Sequence, residues 1–253
     1  MLLVRRKRMR RLIKSELFQL CKSESYKSLF IICCVTALSP VKQQMMGRTD
    51  VTGYEWFCVD QLMGGMVLIP VCIFTADYVA AGFSDHAFAM SVCSGFRRGE
   101  VFGAKLIVYL VGAMSLFLGN TVTGTVSRSI QYGFGTVLDS IALIQMAKAF
   151  GYYILTYPLI IGMSFFFWAV AAKSRIGSIG FGIISVQLLG AVTSKIGFRF
   201  PLLFQWNPLY QIHSLIKPQT FHQIPFHQFV IASATWFLVL LLLSGRLFYH
   251  SDF

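Results

Sequence analysis

The chain has 253 residues, of which 56% are hydrophobic and 13% charged, and a formal net charge of +12. Soluble domains average about 25% charged residues, so this chain has too little polar surface to cover a water-soluble fold and describes an integral membrane protein. The basic excess is not that of a nucleic-acid binder, because nine of the 22 Lys and Arg residues precede residue 28 and the others sit mostly at the ends of apolar runs, as cytoplasmic anchors facing anionic headgroups do.

Residues 1–27 open with Arg5, Arg6, Lys7, Arg8, Arg10 and Arg11. Leu12, Ile13, Leu17, Leu20 and Cys21 then recur at helical spacing, with Lys14, Glu16, Lys22 and Glu24 on the wetter side. That pattern predicts an amphipathic helix on the cytoplasmic surface; a plain basic tail is the simpler alternative. Residues 28–41 are apolar between Lys27 and Lys42. The run is short for a span, which needs about 20 residues, and resembles a signal-peptide core. Pro40 after Ala37 and Ser39 argues against cleavage, so an uncleaved first span is expected, with Lys27 snorkelling.

Residues 42–60 are slightly acidic, through Asp50, Glu55 and Asp60, and suit an external loop. Residues 62–82 make a second span, interrupted by Pro70 and Asp77, and residues 106–126 a third. Between them, residues 83–105 gather glycine, acidic and basic residues and form the joint of the molecule. Asp139 or Ser140 caps a helical run over 141–172, of which 150–172 is the fourth span, with a kink expected at Pro158. Lys173 and Arg175 mark a tight basic turn before a fifth span at 176–194. Residues 195–226, rich in aromatics and proline, read as short interfacial helices with Trp206 and Tyr210 as belt residues. Residues 229–247 are the sixth span and 248–253 a short tail. The expected fold is therefore an all-α integral membrane protein. About six transmembrane helices make a single domain over 28–247, behind an amphipathic N-terminal helix, with both termini cytoplasmic in a multi-pass cell-membrane protein.

Catalytic machinery is not evident. The chain has no HExxH, no GxSxG and no paired glutamates on a helix face, and its six cysteines form no CxxC pair. Cys58 alone is expected outside, with no disulfide partner. Five histidines are present, His86, His213, His222, His227 and His250; His222 and His227 flank Pro225 at a spacing that separates them on a helix. The phosphate-cradling GxxxxGK[ST] loop is missing too. Residues 99–105, GEVFGAK, have the wrong spacing for it. No metal or cofactor is therefore expected in this chain, and an ATP-driven role needs ATP and Mg on a separate subunit. Asp77 is the one acidic residue well inside an apolar run. Ionisable groups at membrane depth point to function, whereas a place near the cytoplasmic end of the span makes it half of an interfacial ion pair.

The joint resembles that of the permease subunits of type 2 ATP-binding-cassette transporters. The resemblance lies in Gly82 after the second span, then Ser94-Gly95-Phe96-Arg97-Arg98-Gly99-Glu100, then Ala104-Lys105 opening the third span. The family's acidic residue stands close before the glycine, whereas Asp77 is several residues upstream. The resemblance implies that a cytosolic ATPase dimer receives the segment from about Ser84 to Glu100. Phe96, Arg97, Arg98 and Glu100 would be the coupling contacts, and Asp77 and Lys105 structural or ion-pairing residues. It also implies a second permease chain, alike or different, lipid but no nucleic acid as further partners, and export of a peptide, lipid-like or amphipathic compound. The compact size is similar to that of antimicrobial-peptide and lantibiotic immunity permeases. Two other readings compete: a membrane-embedded enzyme using the histidines of 213–227, and a secondary transporter with Asp77 as its ion or proton site.

Overall fold

Long apolar runs dictate the architecture, and the computed structural model describes it for residues 2–38, 51–58, 65–135, 139–195 and 226–251. All regular structure among these residues is helical. Helix α1 spans Leu2–Lys22 and α2 spans Glu24–Leu38, with Ser23 at the bend between them. A short α3, Gly53–Cys58, follows. Helix α4 comprises Gly65–Thr75, a π-helical stretch Ala76–Ala80 and a last turn Ala81–Ser84. Short α5 is Ala87–Cys93 and long α6 is Arg98–Tyr132. Helix α7 runs through Ser140–Ile154, a second π-helical stretch Leu155–Ile161, and Gly162–Ala172. Helices α8, Arg175–Lys195, and α9, Phe226–Tyr249, complete it.

Five of these segments are long and apolar enough to cross a bilayer: Val67–Ser84, Arg98–Tyr132, Ser140–Ala172, Arg175–Val192 and Phe226–Tyr249. Of the expected first span, residues 28–38 lie within α2, Glu24–Leu38, and residues 39–41 fall outside the described residues. The interfacial helices expected at 195–226, with Trp206, His213 and His222, fall outside them almost entirely, as do most of the external loop 42–60 and the end of the tail.

One helix is longer than the sequence divides it, and another is as long as the run read for it. Helix α6 continues without a break from the joint through the expected third span to Gly133, whose positive φ of 78° ends it. Helix α7 starts where expected, with the Asp139 carboxylate accepting from the Ala142 N–H at 2.8 Å, and runs on to Ala172. The bend foreseen at Pro158 takes the form of the π-helical stretch around it. Proline has no N–H to give the ladder, and a widened turn accommodates the lost bond.

Helix α6 is the axis of the bundle. Helices α1, α2, α3 and α4 pack along it, and α7 joins through its central part. The Tyr109 ring lies nearly parallel to Phe74 on α4 (8° between planes) and tilted on Phe166 of α7. Its hydroxyl sits 3.0 Å from the Thr75 hydroxyl and donates to the Gly162 carbonyl at 2.8 Å. Thr75 immediately precedes one π-helical stretch and Gly162 immediately follows the other, so one buried side chain ties both irregular stretches to α6. Helices α8 and α9 lie at the edge and expose Phe181, Ile184, Leu188, Leu238, Leu242 and other apolar side chains.

Candidate functional site

The joint begins where α4 widens. Asp77 and Tyr78 lie in the π-helical stretch, both half-buried. Asp77 does not reach Lys105; its carboxylate accepts from the Ser25 hydroxyl at the start of α2, at 2.9 Å. Lys105 instead meets Glu16 of the amphipathic helix at 2.9 Å, with both side chains only 11% exposed. The Tyr78 hydroxyl donates to the same oxygen that Lys105 meets, Glu16 Oε2, at 2.9 Å. The Lys105 ammonium lies over the Tyr78 ring at 4.2 Å and within 5.8 Å of Phe88. A carboxylate, an ammonium and two ring faces therefore converge where α1, α4, α5 and α6 meet. An ion pair removed from water needs such additional partners to recover its desolvation cost.

Of these groups, Tyr78 and Lys105 wall a cavity of about 240 Å³ that also reaches Tyr26, Gln19, Asp77 and Asp85. Asp85, on its wall, accepts through its carboxylate from Arg175 at the start of α8, at 3.0 Å. That pair is more than half exposed, so it ties α8 to the joint only weakly.

From Asp85 the chain turns through His86, which takes a left-handed conformation (φ 53°), into α5. Only Phe88 of α5 is buried. Its ring fits against Gly82, where a Cβ would sit 2.6 Å from a ring carbon, and against Phe83 and Phe248. Met90, Cys93, Ser94 and Gly95 face outward, and Gly95 adopts φ +89°, which a side chain resists. The joint is thus a short helix anchored by one aromatic residue, followed by an exposed turn.

The four expected coupling residues separate here. Arg97 is exposed. Phe96 is partly buried against the core. Glu100 is buried and accepts from the Arg97 backbone N–H at 3.2 Å, capping α6. The Arg98 guanidinium donates to the carbonyls of Tyr249 at 2.8 Å and Ser251 at 3.2 Å, satisfying the open end of α9. Gly99 leaves room for the Tyr249 hydroxyl. Arg98 is therefore a clasp between the joint and the C-terminal helix, and Arg97 is the basic side chain of the pair that stays in the open.

Glu16, Tyr78, Phe88 and Tyr249 belong to this site and were not singled out by sequence. Glu16 reads as a residue of the wet face, and its partner stands far along the chain. Of the histidines, His213 and His222 lie outside the described residues, while His86, ahead of α5, and His227 and His250, at the two ends of α9, are exposed. Among the described residues no group of three or more metal-ligating side chains occurs.

The fold and the joint define a helical membrane protein whose N-terminal helix, short linking helix and C-terminal helix end meet at one point. No protein-family model matches the chain, and no curated protein matches it.

Proposed function

We propose that the chain is the permease subunit of an ATP-binding-cassette exporter, driven by a separate cytosolic ATPase and moving a peptide, lipid-like or amphipathic compound across the cell membrane. The observation that carries this reading is the construction of the joint. Helix α5 and the turn Ser94–Arg97 stand out from the bundle, while Phe88, Lys105 and Arg98 fasten them to α4, α1, α6 and α9. A push on such a projection moves several helices together, as a coupling segment must. Arg97 offers a cationic contact at its tip, and ATP and Mg would be held by the ATPase.

The test uses the full chain purified from its own membranes. The expected result is retention of a nucleotide-hydrolysing subunit with a phosphate-binding loop. Arg97→Glu should lose that subunit and the transport activity without a change in melting temperature. Arg98→Glu is expected to lower the melting temperature as well, because it opens the clasp on α9. A wild-type chain that retains no ATPase, or an Arg97→Glu chain that transports normally, refutes the proposal.

A further inference from the structure

At the far end of α6 from the joint, one charged side chain is buried without a counter-charge in contact among the described residues. Arg128 is 3% exposed. Its Nη1 makes a long contact of 3.4 Å with Gln131 Oε1, and its Nε and Nη2 have no hydrogen-bond partner among the described residues. The guanidinium lies 5.3 Å from the ring centre of Trp56 on α3. A ring face supplies part of the missing attraction but accepts neither N–H. Arginine cannot escape by deprotonating, so a buried, unpaired guanidinium is costly unless an anion joins it.

The pattern of vacancy is informative. Nε and Nη2 form one edge of the guanidinium, the edge whose parallel N–H groups match two oxygens of a carboxylate or phosphate. The rest of the site is built around that group. Helix α3 lies across the last turns of α6: the Gly53 and Tyr54 N–H groups donate to the carbonyls of Gly133 and Phe134 at 3.2 and 2.9 Å. A Cβ at Gly124 would collide with the Trp56 indole. The cap comes this close because glycine stands under it.

Depth and shape select the ligand. From Lys105 to Arg128 the helix rises about 35 Å at about 1.5 Å per residue, slightly more than the hydrocarbon core of about 30 Å. With Lys105 in the interfacial cluster with α1, Arg128 comes to headgroup level in the opposite leaflet, where phosphate is the abundant oxyanion. Gln131, which touches the guanidinium, also lines an open groove of about 430 Å³ with Leu38, Val122, Val126 and Ile130. These apolar side chains are exposed and form a track down α6 of the kind an acyl chain fills.

We propose that the α3-capped end of α6 is a phospholipid site, in which the Nε–Nη2 edge of Arg128 binds the lipid phosphate beneath Trp56 and an acyl chain lies in the groove from Gln131 to Val122. This site is independent of the transport reading.

The test uses the full chain, stripped of lipid in mild detergent, with three probes: phosphatidylglycerol, a glucosyl diacylglycerol lacking phosphate, and inorganic phosphate. Native mass spectrometry and thermal melting report binding. Wild type should hold one phosphatidylglycerol and melt several degrees higher with it, and should ignore the glucolipid. Arg128→Met should bind phosphatidylglycerol at least tenfold more weakly, with no rise in Tm. Arg128→Lys, which keeps the charge and loses the fork, should fall between. Without lipid, Arg128→Met should melt no lower than wild type, because it removes an unpaired buried charge. Equal retention of phosphatidylglycerol by Arg128→Met overturns the proposal. So does a lipid-free Arg128→Met that melts well below wild type, since the guanidinium would then already have a partner within the chain. Inorganic phosphate that matches the lipid at equal concentration overturns the lipid assignment and leaves a free-anion site.

Discussion

Lys105 and Glu16 face each other at 2.9 Å across the junction of α6 and the amphipathic helix, each side chain only 11% exposed. Removing one partner of a buried pair strands the other, at about 3–5 kcal/mol, whereas removing both with apolar replacements is often neutral. Glu16→Gln is therefore expected to cost about 3 kcal/mol, the low end of that range because the pair keeps some contact with solvent. The double variant Glu16→Gln with Lys105→Met should recover most of the loss. Thermal unfolding in detergent of the wild type, both single variants and the double variant closes the cycle. Additive losses would show that the two groups do not act as a pair.

The glycines of the joint separate by what would meet a new methyl group. At Gly82 a Cβ would press into the Phe88 ring at 2.6 and 2.8 Å, and that ring is 1% exposed and held between Phe83 and Phe248. Overpacking of this kind costs about 1–3 kcal/mol, so Gly82→Ala should lower the melting temperature clearly. At Gly99 the obstacle is the terminal hydroxyl of Tyr249, a half-exposed side chain able to swing aside. Gly99→Ala also gains helix propensity of up to about 1 kcal/mol, and its net effect should be near zero. A side-by-side melting comparison decides whether the Phe88 anchor is as rigid as its packing implies.

Much of this fold was legible because the bilayer simplifies the code. Long apolar runs and a cap at Asp139 or Ser140 were read directly, and Leu12 and Leu20 fall on the buried face of α1 as read, whereas Cys21, placed on the same face, is exposed. Glu16 was misplaced on the wet side because one-helix periodicity does not see a lysine brought in by α6. Arg128 stands just past the expected third span, where serines and threonines resemble a surface, and nothing in the sequence foretells the Trp56 ring packed over Gly124 beside it. Pro158 signalled an irregularity without stating its form. The π-helical stretch at Ala76–Ala80 had no comparable marker, since Pro70 lies more than a turn before it.

Tyr109 tests the two irregular stretches. Its hydroxyl is fully buried and donates to the Gly162 carbonyl beside the Thr75 hydroxyl. Tyr109→Phe leaves the ring packing intact and removes that hydrogen bond, a loss of about 1 kcal/mol. Hydrogen exchange should rise locally around residues 155–162 before any global change, because these turns depend on the hydroxyl. Exchange that rises equally along α6 and α7 would mean that the ring, rather than its hydroxyl, is the fastener.

Thiol labelling tests the placement of the joint relative to the membrane. Cys21 and Cys93 are exposed, while Cys33, Cys58 and Cys72 are buried. Burial also pushes the Cys58 thiol above its ordinary pKa, with a smaller opposing contribution from its hydrogen bond with Tyr54. A raised pKa means less thiolate at any pH below it, so Cys58 should lag behind an exposed cysteine at pH 7–8 and gain on it as pH rises. In open membranes a maleimide should therefore modify Cys21 and Cys93 first. In intact cells a membrane-impermeant maleimide should leave both untouched, because Cys21 lies on the amphipathic helix and Cys93 on α5, both expected on the cytoplasmic side. Labelling of Cys93 from outside would invert the topology and remove the joint from reach of a cytosolic ATPase.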